Sequence, residues 1–239
     1  MTNLLKKFRY TSGRALRQVK LLLSGEMERR HALVGNPELW RMKRAFQLDF
    51  LQSSGIKPKH FFLDMGCGTL RGGIPLIDFL EKGRYYGIDV REEVLEEARS
   101  ELSQSGLQGK KPQLLLVTDP VTAELGKKFD YIWSFSVLIH MTDEILEASL
   151  AFAARHLQEN GVFFANVNVG DADDGEWQGF PVVTRPLSFY RNACRSHGLD
   201  VEDIGSLKSL GHISGKRSQD AQRMLRMSVK SSDSKHQVW

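Results

Sequence analysis

Two carboxylates and a glycine turn stand at the spacing of a nucleoside site. Residues 61–73 read Phe-Phe-Leu-Asp-Met-Gly-Cys-Gly-Thr-Leu-Arg-Gly-Gly, and Tyr85-Tyr86-Gly87-Ile88-Asp89 follows a helix-length later. Each apolar run reads as a strand that stops at an acid, Asp64 and then Asp89. Gly66 and Gly68 let the backbone turn sharply and approach a ligand closely. The helix that follows opens with free N–H groups. Asp89, 23 residues after Gly66, is near the spacing of about 20 at which an acid accepts hydrogen bonds from ribose hydroxyls. Two familiar alternatives fit poorly. A dinucleotide fingerprint places a third glycine where this chain has Arg71, and the Gly-Lys-Ser/Thr ending of a phosphate-cradling loop is missing. Asp64, before the turn, would repel a pyrophosphate but suits an ammonium group. The pattern therefore asks for an ammonium, a ribose diol and an adenine without phosphate. Each acid taken alone is equally readable as a solvated strand end. Arg71 reads either as a surface residue at a helix start or as a contact to a substrate anion.

These residues need a frame that brings strand ends together. The alternation predicts a strand over 61–64, a helix over 70–81, a strand over 84–89 and a helix over 91–104. Strands over 113–118 and 129–135 follow, then a helix over 143–158 capped by Thr142 and closed at Asn160-Gly161, and a strand over 162–168. A helix over 186–197 and two strands, 199–204 and 224–229, complete the series. Upstream, Asn36-Pro37 starts a helix that ends near Ser53-Ser54-Gly55, with Leu39, Met42, Phe46 and Phe50 on one face. Strands alternating with helices mean a mostly parallel sheet covered on both faces, with ligands at the carboxyl ends of the strands. Asp64, Asp89, Asp119 and Ser134 all map there.

On these residues the chain resembles the class I S-adenosylmethionine-dependent methyltransferases. Leu63-Asp64-Met65-Gly66-Cys67-Gly68 matches the glycine motif and Gly87-Ile88-Asp89 the ribose acid. Leu114–Asp119 and Phe129–Leu138 are similar to the third and fourth strands. The resemblance covers about residues 36–230. It implies a Rossmann-like, mostly parallel seven-stranded sheet with helices on both faces, an antiparallel C-terminal hairpin and additional N-terminal helices. It also implies S-adenosyl-L-methionine as cofactor, held by Asp64, Gly66, Cys67, Gly68, Arg71, Asp89, Val90, Asp119, Pro120, Ser134 and Phe135. In the family the helix before the first strand often covers the cofactor, which makes Trp40, Arg44 and Gln47 candidates for that cover, with core packing the safer reading of Trp40. Arg71 and the Gly72-Gly73 pair depart from many members.

The 239 residues, with 41% hydrophobic and 26% charged content, suffice for one α/β domain and an appendage. The expected division is an N-terminal helical part (1–55), the cofactor-binding domain (56–232) and a polar tail (233–239). Two cysteines, Cys67 and Cys194, make no disulfide framework, and Cys67 reads as a small residue of the turn. No zinc-ligand spacing occurs among the scattered histidines, and no metal is expected. The net charge of +4 is uneven. Residues 1–30 carry eight Lys or Arg against Glu26 and Glu28; within them, 4–23 read as a basic amphipathic helix on an acidic membrane surface, as a helix packed on the domain, or as a partly disordered tail. The remainder is near neutral, which argues against DNA and leaves RNA as a weaker partner than a small-molecule acceptor. A cytoplasmic protein with peripheral membrane contact is the expectation.

Methyl transfer needs an acceptor lone pair in line with the carbon–sulfur bond, and an oxygen acceptor also needs its proton removed. His140, just past the fourth strand, is the candidate catalytic base; the alternative is a histidine that shapes its loop. The acidic segment Asn166–Thr184, with Trp177 and Phe180, reads either as a binding loop over the acceptor or as a solvated loop. O-methylation of a sugar, a glycan-lipid precursor or a secondary metabolite is the leading expectation. RNA or protein methylation, or a non-catalytic cofactor-binding subunit, are the alternatives.

Overall fold

Nine strands and six α-helices alternate along the chain in the computed structural model, which describes residues 39–177 and 179–230. In chain order they are α1 (Trp40–Ser53), β1 (Phe62–Met65), α2 (Gly73–Phe79), β2 (Tyr85–Asp89), α3 (Glu92–Gln104), β3 (Gln113–Leu116), β4 (Phe129–Ser134), α4 (Asp143–His156) and β5 (Leu157–Val167). Then come β6 (Gly175–Trp177), β7 (Phe180–Val182), α5 (Leu187–Ser196), β8 (Leu199–Ser206), α6 (Arg217–Asp220) and β9 (Arg223–Val229). Seven strands form one sheet in the order β3-β2-β1-β4-β5-β9-β8. Only β9 runs antiparallel, between β5 and β8. The strand order reverses between β1 and β4, which pair directly, so their carboxyl ends flank the crevice where such sheets bind ligands.

Alternation along the strands splits the core by face. Phe62, Trp133, Tyr85 and Phe164 face α1, α2 and α3, with Phe46, Phe50, Ile74, Leu76 and Leu95 packed on them. Leu63, Ile132, Phe163 and Leu225 face α4 and α5, against Leu146, Leu150, Phe152 and Tyr190. Phe50 lies 5.5 Å from Trp133 and 5.1 Å from Phe164 between ring centroids. α1 is therefore part of the core of the sheet domain.

The parallel frame and the terminal antiparallel pair match the sequence reading; four details do not. The expected 70–81 helix begins only at Gly73, because Leu70 has φ +60° and leaves the right-handed region. Asn160-Gly161 does not end a helix. α4 stops at His156, and both residues belong to β5. There Gly161 serves close approach, since a Cβ would stand 2.8 Å from the Phe129 carbonyl oxygen. Thr142 precedes α4, but its side chain makes no capping bond. The acidic segment holds a hairpin, β6–β7, that short alternation did not announce. The Asn36-Pro37 helix start, the basic residues 1–30 and the tail 233–239 lie outside the described residues. Among the described residues no helix is long and apolar enough to cross a membrane.

Candidate active site

The glycine turn leaves β1 and folds back over the end of β2. Gly66 and Cys67 both donate their N–H to the Ile88 carbonyl, at 2.8 and 3.0 Å. Asp89 then ties the turn from the other side. Its Oδ2 accepts the Gly68 N–H at 3.1 Å and its Oδ1 accepts the Arg91 N–H at 3.1 Å. A carboxylate has about four acceptor positions, so two remain for a diol. Gly66 has φ +77°, and a Cβ there would collide with the Val137 side chain from the turn after β4. Gly73 serves a different need. A Cβ would come within 2.5 Å of Tyr85 Oη, the hydroxyl that donates to Asp64 Oδ2 at 2.7 Å.

Asp64 is buried, and that burial raises its carboxyl pKa to about 7; Asp89 adds to the rise, while the Tyr85 hydrogen bond and Arg71 oppose it. Arg71 is not the surface residue that one sequence reading offered. It is buried beside the Trp40 ring, 5.8 Å from the centroid, and its burial lowers its pKa to about 10 while Asp64 pulls the other way. Cys67 is buried, and burial beside two acids holds its thiol well above the ordinary range, so it is an inert small residue. The Sγ fills the space over Gly87, where a Cβ would meet it at 2.9 Å.

The other strand ends complete the edge. Ser134 is buried and donates from Oγ to the Met65 carbonyl at 3.1 Å, locking β4 to β1. Phe135 lies parallel to Trp133 at 5.5 Å. Asp119, exposed beyond β3, accepts from the Val121 N–H at 2.8 Å and from Thr122 Oγ1 at 2.7 Å, and these bonds hold its pKa down. The Pro120 carbonyl accepts from Arg155 at 3.0 Å. Val90 is exposed, next to Asp89. His140 faces the hairpin: its Nδ1 lies 2.7 Å from the Pro181 carbonyl, and its ring lies 5.5 Å from Trp177. The carbonyl can only accept, so Nδ1 donates. Burial lowers the pKa of this ring. Val183 N–H also bonds the Ile139 carbonyl, at 2.9 Å, and Arg91 lies 5.5 Å from the Phe180 ring. The hairpin thus straps the turn after β4 to the end of β2.

Residues 63–163 match a protein family described as a methyltransferase domain. The match spans 101 of the chain's 239 residues, and over them the sequence is similar to methyltransferase domains. Solved structures agree in fold. The magnesium protoporphyrin IX methyltransferase of Synechocystis, with bound S-adenosylhomocysteine, is 16% identical over 97% of this chain and 100% of its own, with a TM-score of 0.63. An S-adenosylmethionine-dependent methyltransferase from Clostridium acetobutylicum is 14% identical over 96% of this chain and 100% of its own, TM-score 0.60. A glycopeptide N-methyltransferase complexed with sinefungin is 13% identical over 78% and 93%, TM-score 0.61. No curated protein matches the chain by sequence.

The residues present fit S-adenosylmethionine, the cofactor that the resemblance implies. Asp64 offers a buried carboxylate and Asp89 two spare acceptor positions. Thr69 Oγ1 is buried in the turn with no hydrogen-bond partner among the described residues, a donor suited to a carboxylate. Sequence reasoning missed Thr69, and missed Tyr85 as the partner of Asp64. Period two alone could have found Tyr85, which shares a strand face with Gly87 and lies beside Phe62 across the β1–β2 pair. Lys43 was also missed. It is buried, and its pKa falls to about 7 through that burial and the nearby charges of Arg71 and Lys216, with Asp220 opposing. Of the three covering candidates, Gln47 is a core residue: it accepts from Trp133 Nε1 at 2.9 Å and donates to the Lys43 carbonyl at 3.1 Å. Trp40 is buried and Arg44 half-buried. A second polar chain runs from the Ser136 N–H to Asn166 Oδ1 at 2.7 Å, and from Asn166 Nδ2 to Gln222 Oε1 at 2.7 Å. It fixes the turn after β4 to β9.

Proposed function

We propose that this protein is an S-adenosylmethionine-dependent methyltransferase that methylates an oxygen of a small-molecule acceptor, bound between α1, the turn after β4 and the β6–β7 hairpin. The observation that carries the reading is the hairpin itself. Trp177 and Phe180, each over one-third exposed, stand beside His140 at the carboxyl edge, in a strap held by the His140–Pro181 and Val183–Ile139 bonds. Partly exposed aromatic rings on a hydrogen-bonded strap suit a small ring-bearing acceptor. We assign His140 to holding that strap. In this reading Asp64 takes the ammonium of S-adenosylmethionine, Asp89 takes the ribose diol, and Thr69 faces the methionyl carboxylate. Arg71, by charge, keeps Asp64 ready to ionise. Val90, Asp119 and Pro120 border the adenine, and Ser134 and Phe135 border the methyl end. When bound, the cofactor supplies an electrophilic methyl group. The chain's own residues orient it, exclude water and receive the acceptor's proton.

The assignment of Asp64 makes a pH dependence. Only the ionised carboxylate pairs with an ammonium, and the carboxyl carries a proton below about pH 7. Affinity for S-adenosylhomocysteine is therefore expected to fall as pH drops from 7 to 5.5, by about tenfold per unit. Asp64→Asn should bind weakly and show no such slope, both readable by calorimetry.

The acceptor class is tested with trideuteromethyl S-adenosylmethionine. The panel contains catechol, 4-hydroxybenzoate, methyl glucoside, benzylamine and total tRNA, with products read by mass spectrometry. Label on a hydroxyl oxygen is the expected result. Label confined to the amine or to tRNA would contradict the proposal.

A further inference from the structure

His212 is the most unusual polar residue near the carboxyl edge. It lies in the connection between β8 and β9 and is 1% exposed. Its Nδ1 is 3.2 Å from Asp220 Oδ1. The Ser214 N–H and Ser214 Oγ donate to the same oxygen, at 2.8 and 2.7 Å. These bonds hold Asp220 below the usual carboxylate pKa against its desolvation, so Asp220 is ionised and can only accept. His212 Nδ1 must therefore carry the proton, and Nε2 is left with a lone pair. That nitrogen is buried and has no hydrogen-bond partner among the described residues. Buried polar atoms are almost always satisfied, so an unsatisfied imidazole nitrogen asks what it faces.

Its ring packs between α1 and the end of β4. The His212 ring sits 5.1 Å from Phe46 of α1, edge-on, and 5.7 Å from Phe135. Phe135 directly follows Ser134, whose hydroxyl bonds to the end of β1 at Met65. An imidazole oriented by a carboxylate, with its second nitrogen bare in an apolar setting, is the arrangement of a general base. Burial and the positive charge of Lys43 lower the ring's pKa, with Asp220 acting against them, which favours the neutral ring at pH 7. Arg71 and Lys216 bear on Lys43 in turn.

We propose that His212, positioned by Asp220, accepts the proton of the acceptor hydroxyl. The acceptor oxygen bonds to the methyl carbon, and the carbon–sulfur electron pair stays on sulfur. The hydroxyl proton goes to Nε2, and the resulting imidazolium faces Asp220 through Nδ1. Water takes the proton after product leaves. This inference rests on the oxygen-acceptor reading above, and assigns the proton-accepting role to His212 in place of His140.

Two measurements on the full chain test it. The first is a long-range proton–nitrogen spectrum of histidine-labelled protein, saturated with S-adenosylhomocysteine at pH 7.5, with His212→Gln to assign the signal. The expected pattern is a protonated Nδ1 and a bare Nε2. A proton on Nε2 overturns the proposal whatever acceptor is used. The second applies the hydroxyl compounds of the panel to His212→Gln and Asp220→Asn, with thermal midpoint and S-adenosylhomocysteine affinity measured alongside. His212→Gln is expected to lower kcat at least a hundredfold with cofactor affinity within twofold. Added imidazole should restore part of the rate in His212→Ala. A His212→Gln rate within threefold of the parent overturns this proposal and leaves the oxygen-acceptor reading standing. Methylation of benzylamine or tRNA alone overturns both, and if no compound reacts the tautomer decides.

Discussion

Replacing Asp89 with alanine is expected to weaken binding of S-adenosylhomocysteine at least a hundredfold. Two losses combine. The ribose diol loses the carboxylate that accepts its hydrogen bonds, and a hydrogen bond to a charged group is worth about 1.5–3 kcal/mol. The turn also loses its anchor, because the same carboxylate holds the N–H groups of Gly68 and Arg91. About 2.7 kcal/mol already gives a hundredfold, so two such bonds reach the expected effect without help from the turn. Asp89→Asn separates the two roles. Its amide oxygen can still accept from one N–H, so the turn should persist better than in the alanine variant while the diol is held poorly. Calorimetry on the three proteins gives the comparison. An Asp89→Ala protein that binds within fivefold of the parent would remove Asp89 from the site.

Gly66→Ala is expected to abolish measurable cofactor binding and lower the thermal midpoint by about 4–20 °C. The backbone at φ +77° costs an L-residue about 1–2 kcal/mol. The new methyl group also collides with Val137, and forcing a methyl into a packed contact costs about 1–3 kcal/mol. A chain of this size loses roughly 2–4 °C per kcal/mol. The double variant Gly66→Ala/Val137→Ala relieves only the collision, so it should recover part of the midpoint and not all of it. The two positions touch, so a non-additive cycle is expected. Simple additivity would mean that the turn shifts away from Val137 and that the φ of Gly66 alone matters.

The legibility of this chain follows from the range of the interactions. Gly66, Gly68, Asp64 and Asp89 could be read because one βαβ unit brings them together at a fixed spacing. The frame of alternating strands and helices was legible for the same reason: its signals are local. Local signals also misled. Asn160-Gly161 has the look of a helix end, yet Gly161 is needed for its approach to the Phe129 carbonyl across the β4–β5 pair. The helix after the turn starts late because Leu70, fully buried, takes a left-handed φ, and nothing in its neighbours announces this. Arg71 is drawn inward beside Trp40 and Asp64, a placement that depends on α1. His212 was hardest of all. Its partner Asp220 is eight residues away, at the end of the short helix α6, and the rings around it come from α1 and from the end of β4. Only the folded chain places a bare imidazole nitrogen at that edge.

The most direct test of the central claim is a calorimetric titration of the intact chain with S-adenosylmethionine, S-adenosylhomocysteine and NADH at pH 7.5. Micromolar binding of the two sulfur nucleosides, with no heat from NADH, is the predicted result. Binding of NADH in their place would contradict the assignment of Asp64 to an ammonium and of Asp89 to a ribose without pyrophosphate.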